Sequence, residues 1–253
     1  MISQSNAKLI RSLSHKKYRN KYNFFIAEGR KTVLDMLKAG FDKIYTIYVS
    51  EEILNEHINL LTKVKDKLVL IGTKDFEQIS NLESIPDIIL IGHISAKPSP
   101  DPSLLHSGIH LYLDQIQDPG NMGTILRTAE WFNVKSIGIS EGCADIYHPK
   151  VIQSSMGSFI RVHTWYGELS MPNLIPGIPI IGADLSGTSL YTVKLPAHGV
   201  LVIGNEGQGI SAPIRALITS SIKIPAYSTN IESLNAANAT AIVLSEWRRQ
   251  LRG

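Results

Sequence analysis

The chain has 253 residues, 43% of them hydrophobic and 19% charged, with a formal net charge of +3; this describes one large or two ordinary folded domains and excludes a disordered chain. No apolar run reaches the roughly 18 residues of a membrane span, and the polar, basic N-terminus lacks the apolar core of a signal peptide. Cys143 is the single cysteine, so no internal disulfide and no cysteine-built zinc site is expected, and the eight histidines are scattered without metal-ligand spacing. A reducing, cytoplasmic setting and a site without metal are the expectation.

The small net charge is unevenly placed. Residues 1–31 carry Lys8, Arg11, Lys16, Lys17, Arg19, Lys21, Arg30 and Lys31 against one acid, Glu28, with Tyr18, Tyr22, Phe24 and Phe25 interleaved. Basic side chains track phosphates and aromatic faces stack on unpaired bases. A solvated basic helix accounts for the same pattern equally well, and Phe24 and Phe25 suit a core better than a base. The pattern reads as a helix or helix pair over 3–20, a strand at 23–27, and a helix over 30–38 closed by Gly40. A strand at 43–49, a helix over 51–63, a strand at 68–71, a short helix over 74–80 and a strand at 87–91 follow. This alternation makes residues 1–95 an α/β domain. Pro98, Pro100 and Pro102 then make 96–107 a semi-stiff linker; a long surface loop within one sheet is the other reading.

A second α/β alternation fills 108–253. Strands are expected at 109–114, 136–140, 159–163, 180–184, 200–204 and 222–225. Helices are expected over 123–132, 148–157 and 211–219, and from Ser233, as N-cap, to about 250. The segment 171–179, with Pro172, Pro176 and Pro179, reads as irregular.

Three connections in this half could carry chemistry. Asp118-Pro-Gly-Asn-Met-Gly-Thr-Ile-Leu-Arg127 joins a strand to a helix, placing Asn121 near the cap and Arg127 one turn in, where a guanidinium could hold a phosphate. Gly204-Asn-Glu-Gly-Gln-Gly209 lets a ligand lie against backbone. It is neither a P-loop nor a dinucleotide fingerprint, and Glu206 favours an uncharged or positive ligand such as a sulfonium. The third connection, from Ile224 to Asn235, leads into a helix start rich in alanine and free N–H groups. Each alone is also what an ordinary strand–turn–helix connection looks like.

Together they resemble the SpoU (TrmH-like) family of RNA 2′-O-ribose methyltransferases. The match is D-x-x-x-D-P-G-N-x-G-x-x-x-R-T-A over 114–129, G-N-E-G-x-G-I over 204–210, and I-P…S-L-N over 224–235. The segment Pro149-Lys-Val-Ile-Gln-Ser-Ser-Met-Gly157 looks like the family's linking segment, and Phe25-Ile-Ala-Glu-Gly-Arg-Lys31 is similar to the substrate-binding domain of many members. The resemblance implies an α/β catalytic domain with a deep trefoil knot and a smaller, ribosomal-protein-like RNA-binding domain before it. It implies S-adenosylmethionine as cofactor, bound through backbone at Gly204, Ile224 and Leu234, and a homodimer whose site is completed across the interface.

By the same resemblance Arg127 contacts the target phosphate and ribose, Asn121 orients them, and Glu206 holds Arg127 or completes the site. Ser233 and Asn235 fix the cofactor loop and substrate edge, and Lys16, Lys17, Arg19, Arg30 and Lys31 bind RNA. Gln153 stands where many relatives have a basic residue. The implied substrate is ribosomal RNA of the large subunit, with tRNA as runner-up. A catalytically silent RNA-binding or assembly protein on the same scaffold is the alternative, against which the joint presence of Asn121, Arg127, Glu206, Ser233 and Asn235 weighs.

Overall fold

The computed structural model describes residues 2–170, 176–228, 230 and 232–252; part of the stretch expected to be irregular, 171–175, lies outside the described residues. The chain divides into two compact units, Met1–Ala96 with Asp145–Ile160, and Lys97–Ala144 with Arg161–Gly253.

The first unit is a four-stranded sheet of β1 (Phe24–Glu28), β2 (Ile44–Val49), β3 (Leu68–Leu70) and β4 (Ile88–His93), in the order β1-β4-β2-β3. β4 runs antiparallel to both neighbours, while β3 lies parallel to β2 at the edge. The helix Gln4–Ser12 starts at Ser3, whose side chain accepts from Asn6 N, and Lys16–Tyr22 ends at Asn23 in the left-handed conformation. Their apolar positions Ile10 and Leu13 join Ile26, Phe76, Ile79, Ile89 and Ile91 in one core. The helix expected over 51–63 is interrupted at His57 and passes into the 3-10 turn Thr62–Lys67.

Arg19 belongs to this interior. It is fully buried, donates to the carbonyls of Leu13 (3.0 Å) and Ser14 (2.9 Å), and is paired with Asp145 at 2.7 Å. The expectation of an RNA-facing Arg19 is therefore corrected. A buried guanidinium must be paired and hydrogen-bonded, and a carboxylate 126 residues away supplies what sequence proximity does not.

In the second unit β5 (Ile109–Leu113), β6 (Ser136–Ile139), β7 (Thr164–Tyr166), β8 (Ile180–Ser189), β9 (Gly199–Ile203) and β10 (Ser220–Lys223) are ordered β10-β8-β9-β5-β6-β7. Every neighbouring pair is parallel. β5, β6 and β9 are buried along their whole length, as strands covered on both faces must be. The strand expected at 159–163 is absent. Met156 and Gly157, both at positive φ, end the Pro149–Ser155 helix, and a 3-10 turn occupies Ser158–Ile160. Phe159 packs edge-on to Phe25 with ring centroids 5.7 Å apart, so its apolar character serves the first unit's core, and pairing with β6 starts only at Thr164. The helix expected over 211–219 is confined to Ala212–Arg215. Among the described residues no helix is long and apolar enough to cross a membrane.

Candidate active site at the carboxyl ends of the parallel sheet

β6 and β7 extend the sheet from one side of β5, and β9, β8 and β10 extend it from the other. Connections leaving adjacent strands at such a reversal diverge, and a crevice opens outside their carboxyl ends. Here the connections are those that follow β5 and β9.

After β5 the chain turns at Gln115, at φ +57. Asp118 then caps a helix, accepting from Asn121 N at 2.8 Å, and Pro119 occupies the first turn. An aspartate cap followed by proline is a strong start signal, so the helix spans Pro119–Trp131 and begins four residues before its expected start. Asn121 is consequently not the cap; it lies in the first turn with its carboxamide free for tertiary contacts. Arg127 lies two turns in, is exposed, and makes no hydrogen bond or ion pair with the described residues.

After β9 the glycine-rich segment closes on itself. Asn205 N donates to Gly209 O (3.0 Å), Gly209 N to Asn205 O (2.8 Å), and the Asn205 side chain accepts from Gly207 N and Gln208 N. Gly209 sits at φ +70. A Cβ on Gly204 would overlap the backbone of Gly209 and Ile210, so only glycine fits there. The loop is anchored to the β5 side twice. Asn205 Nδ2 donates to Gln115 O at 2.9 Å, and the buried Asp114 accepts from Ser211 N at 2.7 Å. Sequence reasoning did not single out Asn205; an asparagine in a glycine-rich turn, able to mimic a turn with its own side chain, is the signal that marks it.

Across the crevice the side chains of three connections meet. Asn121 Nδ2 donates to Glu206 Oε1, and Asn235 Nδ2 donates to Asn121 Oδ1 at 2.7 Å. Asn235 also accepts from Ala237 N (2.9 Å) and Asn238 N (3.2 Å), so it caps the last helix, Ala236–Arg252. This corrects the expected cap at Ser233, which lies in the extended lead-in and lines the neighbouring cleft. Glu206 holds Asn121, not Arg127: residues six apart on a helix point about 120° apart around its axis, and Asn121 has the face toward the glycine loop.

Beside this bridge lies a cleft of about 580 Å³ between the ends of β8, β9 and β10, within the size range of small-molecule sites. Gly204, Ile224 and Leu234 all line it. Ile203, Ile222 and Val243 give it an apolar side, and Glu206 and Asp184 bring acids to it. Hydrogen bonds from the Ser186 hydroxyl and N–H, and then Arg215, hold the Asp184 carboxyl down to about 2. Among the described residues no cluster of metal-binding side chains is found.

Of the basic residues expected to meet RNA, Lys16, Lys17 and Lys31 are exposed. Arg30 is at the surface but engaged by Asp87 (2.6 Å) and Glu56 (3.2 Å), and the hydrogen bond to Asp87 raises its pKa.

Residues 108–245 match the SpoU rRNA Methylase family, and residues 5–90 match an MRM3-like substrate binding domain. The chain is 26% identical over 246 residues to the 23S rRNA (guanosine(2553)-2′-O)-methyltransferase of Bacillus subtilis, covering 94% of each. An uncharacterized tRNA/rRNA methyltransferase of Synechocystis is 37% identical over 158 residues, which span 60% of this chain and 56% of that protein. The fold of the present chain matches a putative TrmH-family RNA methyltransferase from Porphyromonas gingivalis with a TM-score of 0.84 at 37% identity, covering 99% of each chain. An AdoMet-bound rRNA methyltransferase from Sinorhizobium meliloti matches with the same TM-score at 26% identity, over 99% of this chain and 97% of that one. On its motifs, its parallel sheet and these matches, the chain belongs to the SpoU rRNA Methylase family.

Proposed function

We propose that the protein transfers a methyl group from S-adenosylmethionine to a ribose 2′-hydroxyl of ribosomal RNA, in the large subunit. The observation that carries this reading is the bridge Glu206–Asn121–Asn235, which gathers three motif residues at the mouth of one cleft. The cleft suits the cofactor by its chemistry: Gly204 is among its lining residues, the apolar side suits an adenine, and Glu206 suits a cationic sulfonium. Gly204, Ile224 and Leu234 would hold it through their backbone groups. When bound, it supplies an already activated methyl, so the protein's task is alignment and proton removal.

Arg127, without a hydrogen bond or ion pair among the described residues, is available to a target phosphate, and Asn121 to the ribose edge. Ser233 and Asn235 fix the segment between cofactor and substrate. A guanidinium remains protonated in proteins, so Arg127 positions and neutralises, while the 2′-hydroxyl proton leaves to a phosphate oxygen or to water.

The proposal includes a deep trefoil knot formed by the chain around β9 and β10, supported by family membership, and a division in sequence order at 1–95, 96–107 and 108–253, although Asp145–Ile160 falls in the first compact unit and Lys97–Ala144 in the second. A ribosomal-protein-like, RNA-binding first domain is supported by the substrate-binding match and by Lys16, Lys17 and Lys31. A homodimer is supported by Trp131, 84% exposed on the helix that carries Arg127, since a large exposed aromatic suits a partner surface. Cytoplasmic action is supported by the bacterial relative that modifies 23S rRNA. Calorimetric titration with S-adenosylmethionine tests the cofactor half: saturable binding is expected for the native chain and none for Gly204→Ala. Equal binding by both would overturn the placement of the cofactor.

A further inference from the structure

A second cavity, of about 210 Å³, lies wholly within the first unit. Ile26, Leu82 and Ile152 give it an apolar lining, and Glu28, His148 and Gln153 supply polar groups. It is smaller than pockets that take whole cofactors and of a size for one planar ring system.

Its polar groups are unevenly satisfied. Glu28 Oε1 accepts from both the Ser80 hydroxyl (2.7 Å) and Asn81 N (3.1 Å), whereas Oε2 has no partner among the described residues. Burial raises the Glu28 pKa against the two hydrogen bonds that lower it, the condition of a carboxylate that gains from a further donor. His148 Nδ1 accepts from Lys150 N at 3.1 Å, so in the neutral ring the proton sits on Nε2 and that nitrogen donates. The exposed Gln153 carboxamide can do either and has no partner among the described residues. The cavity's lining thus combines residues that carry a strong acceptor and a donor with an apolar surface. Unpaired RNA bases are read in this way, by hydrogen bonds to their Watson–Crick edge. Guanine presents N–H donors beside the O6 acceptor on that edge; adenine presents no ring N–H there.

We propose that this cavity seats one unpaired guanine base of the RNA substrate, Glu28 Oε2 accepting from its N–H edge and His148 Nε2 donating to O6. The RNA as source of the base rests on the function proposed above; the preference for guanine rests on the cavity alone.

The test uses the full-length protein with the large cleft saturated by S-adenosylhomocysteine, so that a purine cannot settle there. Binding is measured for single-stranded RNAs that differ at one position, guanine, inosine or adenine, and by saturation-transfer NMR for guanosine and adenosine 5′-monophosphates. Guanine and inosine, which share N1–H and O6, are expected to bind about ten-fold more tightly than adenine, the scale of a hydrogen bond to a charged group. Glu28→Gln keeps an acceptor for Ser80 and Asn81 and should abolish that preference; Gln153→Trp, on the exposed wall, should block entry. Equal affinity for the three RNAs, or guanine preference surviving in Glu28→Gln, would overturn the proposal. Methyl transfer without guanine preference would remove the cavity's role and leave the enzyme standing. Glu28-dependent binding of guanosine monophosphate without methyl transfer to any RNA would do the reverse.

Discussion

Asn235 Nδ2 donates to Asn121 Oδ1 at 2.7 Å, and the Asn235 oxygen caps the last helix. One carboxamide therefore fixes the start of that helix and, through Asn121, its distance from Glu206 on the glycine loop. The two functions separate by mutation. Asn235→Asp keeps the capping oxygen, which suits a helix N-terminus, but sets a carboxylate against Asn121 Oδ1. It is expected to melt within a few degrees of the native chain while losing at least ten-fold in transfer rate. Asn235→Ala should lose both functions, with about 1 kcal/mol of cap stability. Thermal melts and initial rates on the three proteins check this; native rates for Asn235→Asp would count against the bridge.

Arg127 is exposed and makes no hydrogen bond or ion pair with the described residues, so its removal should cost the fold little, within about 0.5 kcal/mol. Arg127→Ala should bind S-adenosylmethionine as the native chain does and fail to transfer. Arg127→Lys should rescue poorly, because an ammonium cannot grip a phosphate through two parallel hydrogen bonds. Calorimetry and single-turnover transfer separate the two effects, and native transfer by Arg127→Ala would end this role.

The basic N-terminal stretch contains two kinds of cation. Arg19→Ala removes the ion-pair partner of the part-buried Asp145 and a buried side chain that bonds the Leu13 and Ser14 carbonyls, and should destabilise the first unit by about 3 kcal/mol. Lys16→Ala with Lys17→Ala should leave the melting temperature unchanged and lower the slope of log affinity for RNA against log salt by about 1.4 to 1.8. Denaturant unfolding and binding at several ionic strengths read the two results; an unchanged slope would take these lysines out of the interface.

Asp184 carries a pH signature. Its folded pKa, held at about 2 by Ser186 and then Arg215, lies below the unfolded value near 3.9. Its contribution to stability is thus present above about pH 4 and lost as pH falls through about 2. Carboxyl chemical shifts should titrate with a midpoint near 2, and Asp184→Asn should remove that part of the acid sensitivity. A midpoint near 4 would contradict the hydrogen bonds described.

What the sequence discloses depends on whether a feature is local. β9 is legible because an uninterrupted apolar run is what a doubly covered parallel strand requires, and β5 is legible because only His110 interrupts its run. Gly204, Asn121, Glu206 and Asn235 are legible as motif positions. That Asn121 lies within its helix is missed because the Asp118-Pro119 start four residues upstream outweighs the apolar periodicity that places the start at 123. The burial of Arg19 and the neutralisation of Arg30 are hidden because Asp145 and Asp87 are far off in sequence. Phe159 and Ile160 read as a strand because their apolar character is visible, but not the aromatic core, with Phe25 and Tyr147, that uses Phe159.

The central claim, methylation of a ribose hydroxyl, is tested most directly by the chemistry of the transferred label. Total RNA from a strain lacking this gene is incubated with the purified protein and methyl-labelled S-adenosylmethionine, then hydrolysed in alkali. A methylated 2′-oxygen cannot attack the adjacent phosphate, so the account predicts label in one alkali-resistant dinucleotide derived from large-subunit ribosomal RNA, and none with Arg127→Ala. Label released in mononucleotides would place the methyl on a base and contradict the account, and no label in any RNA would favour the silent scaffold.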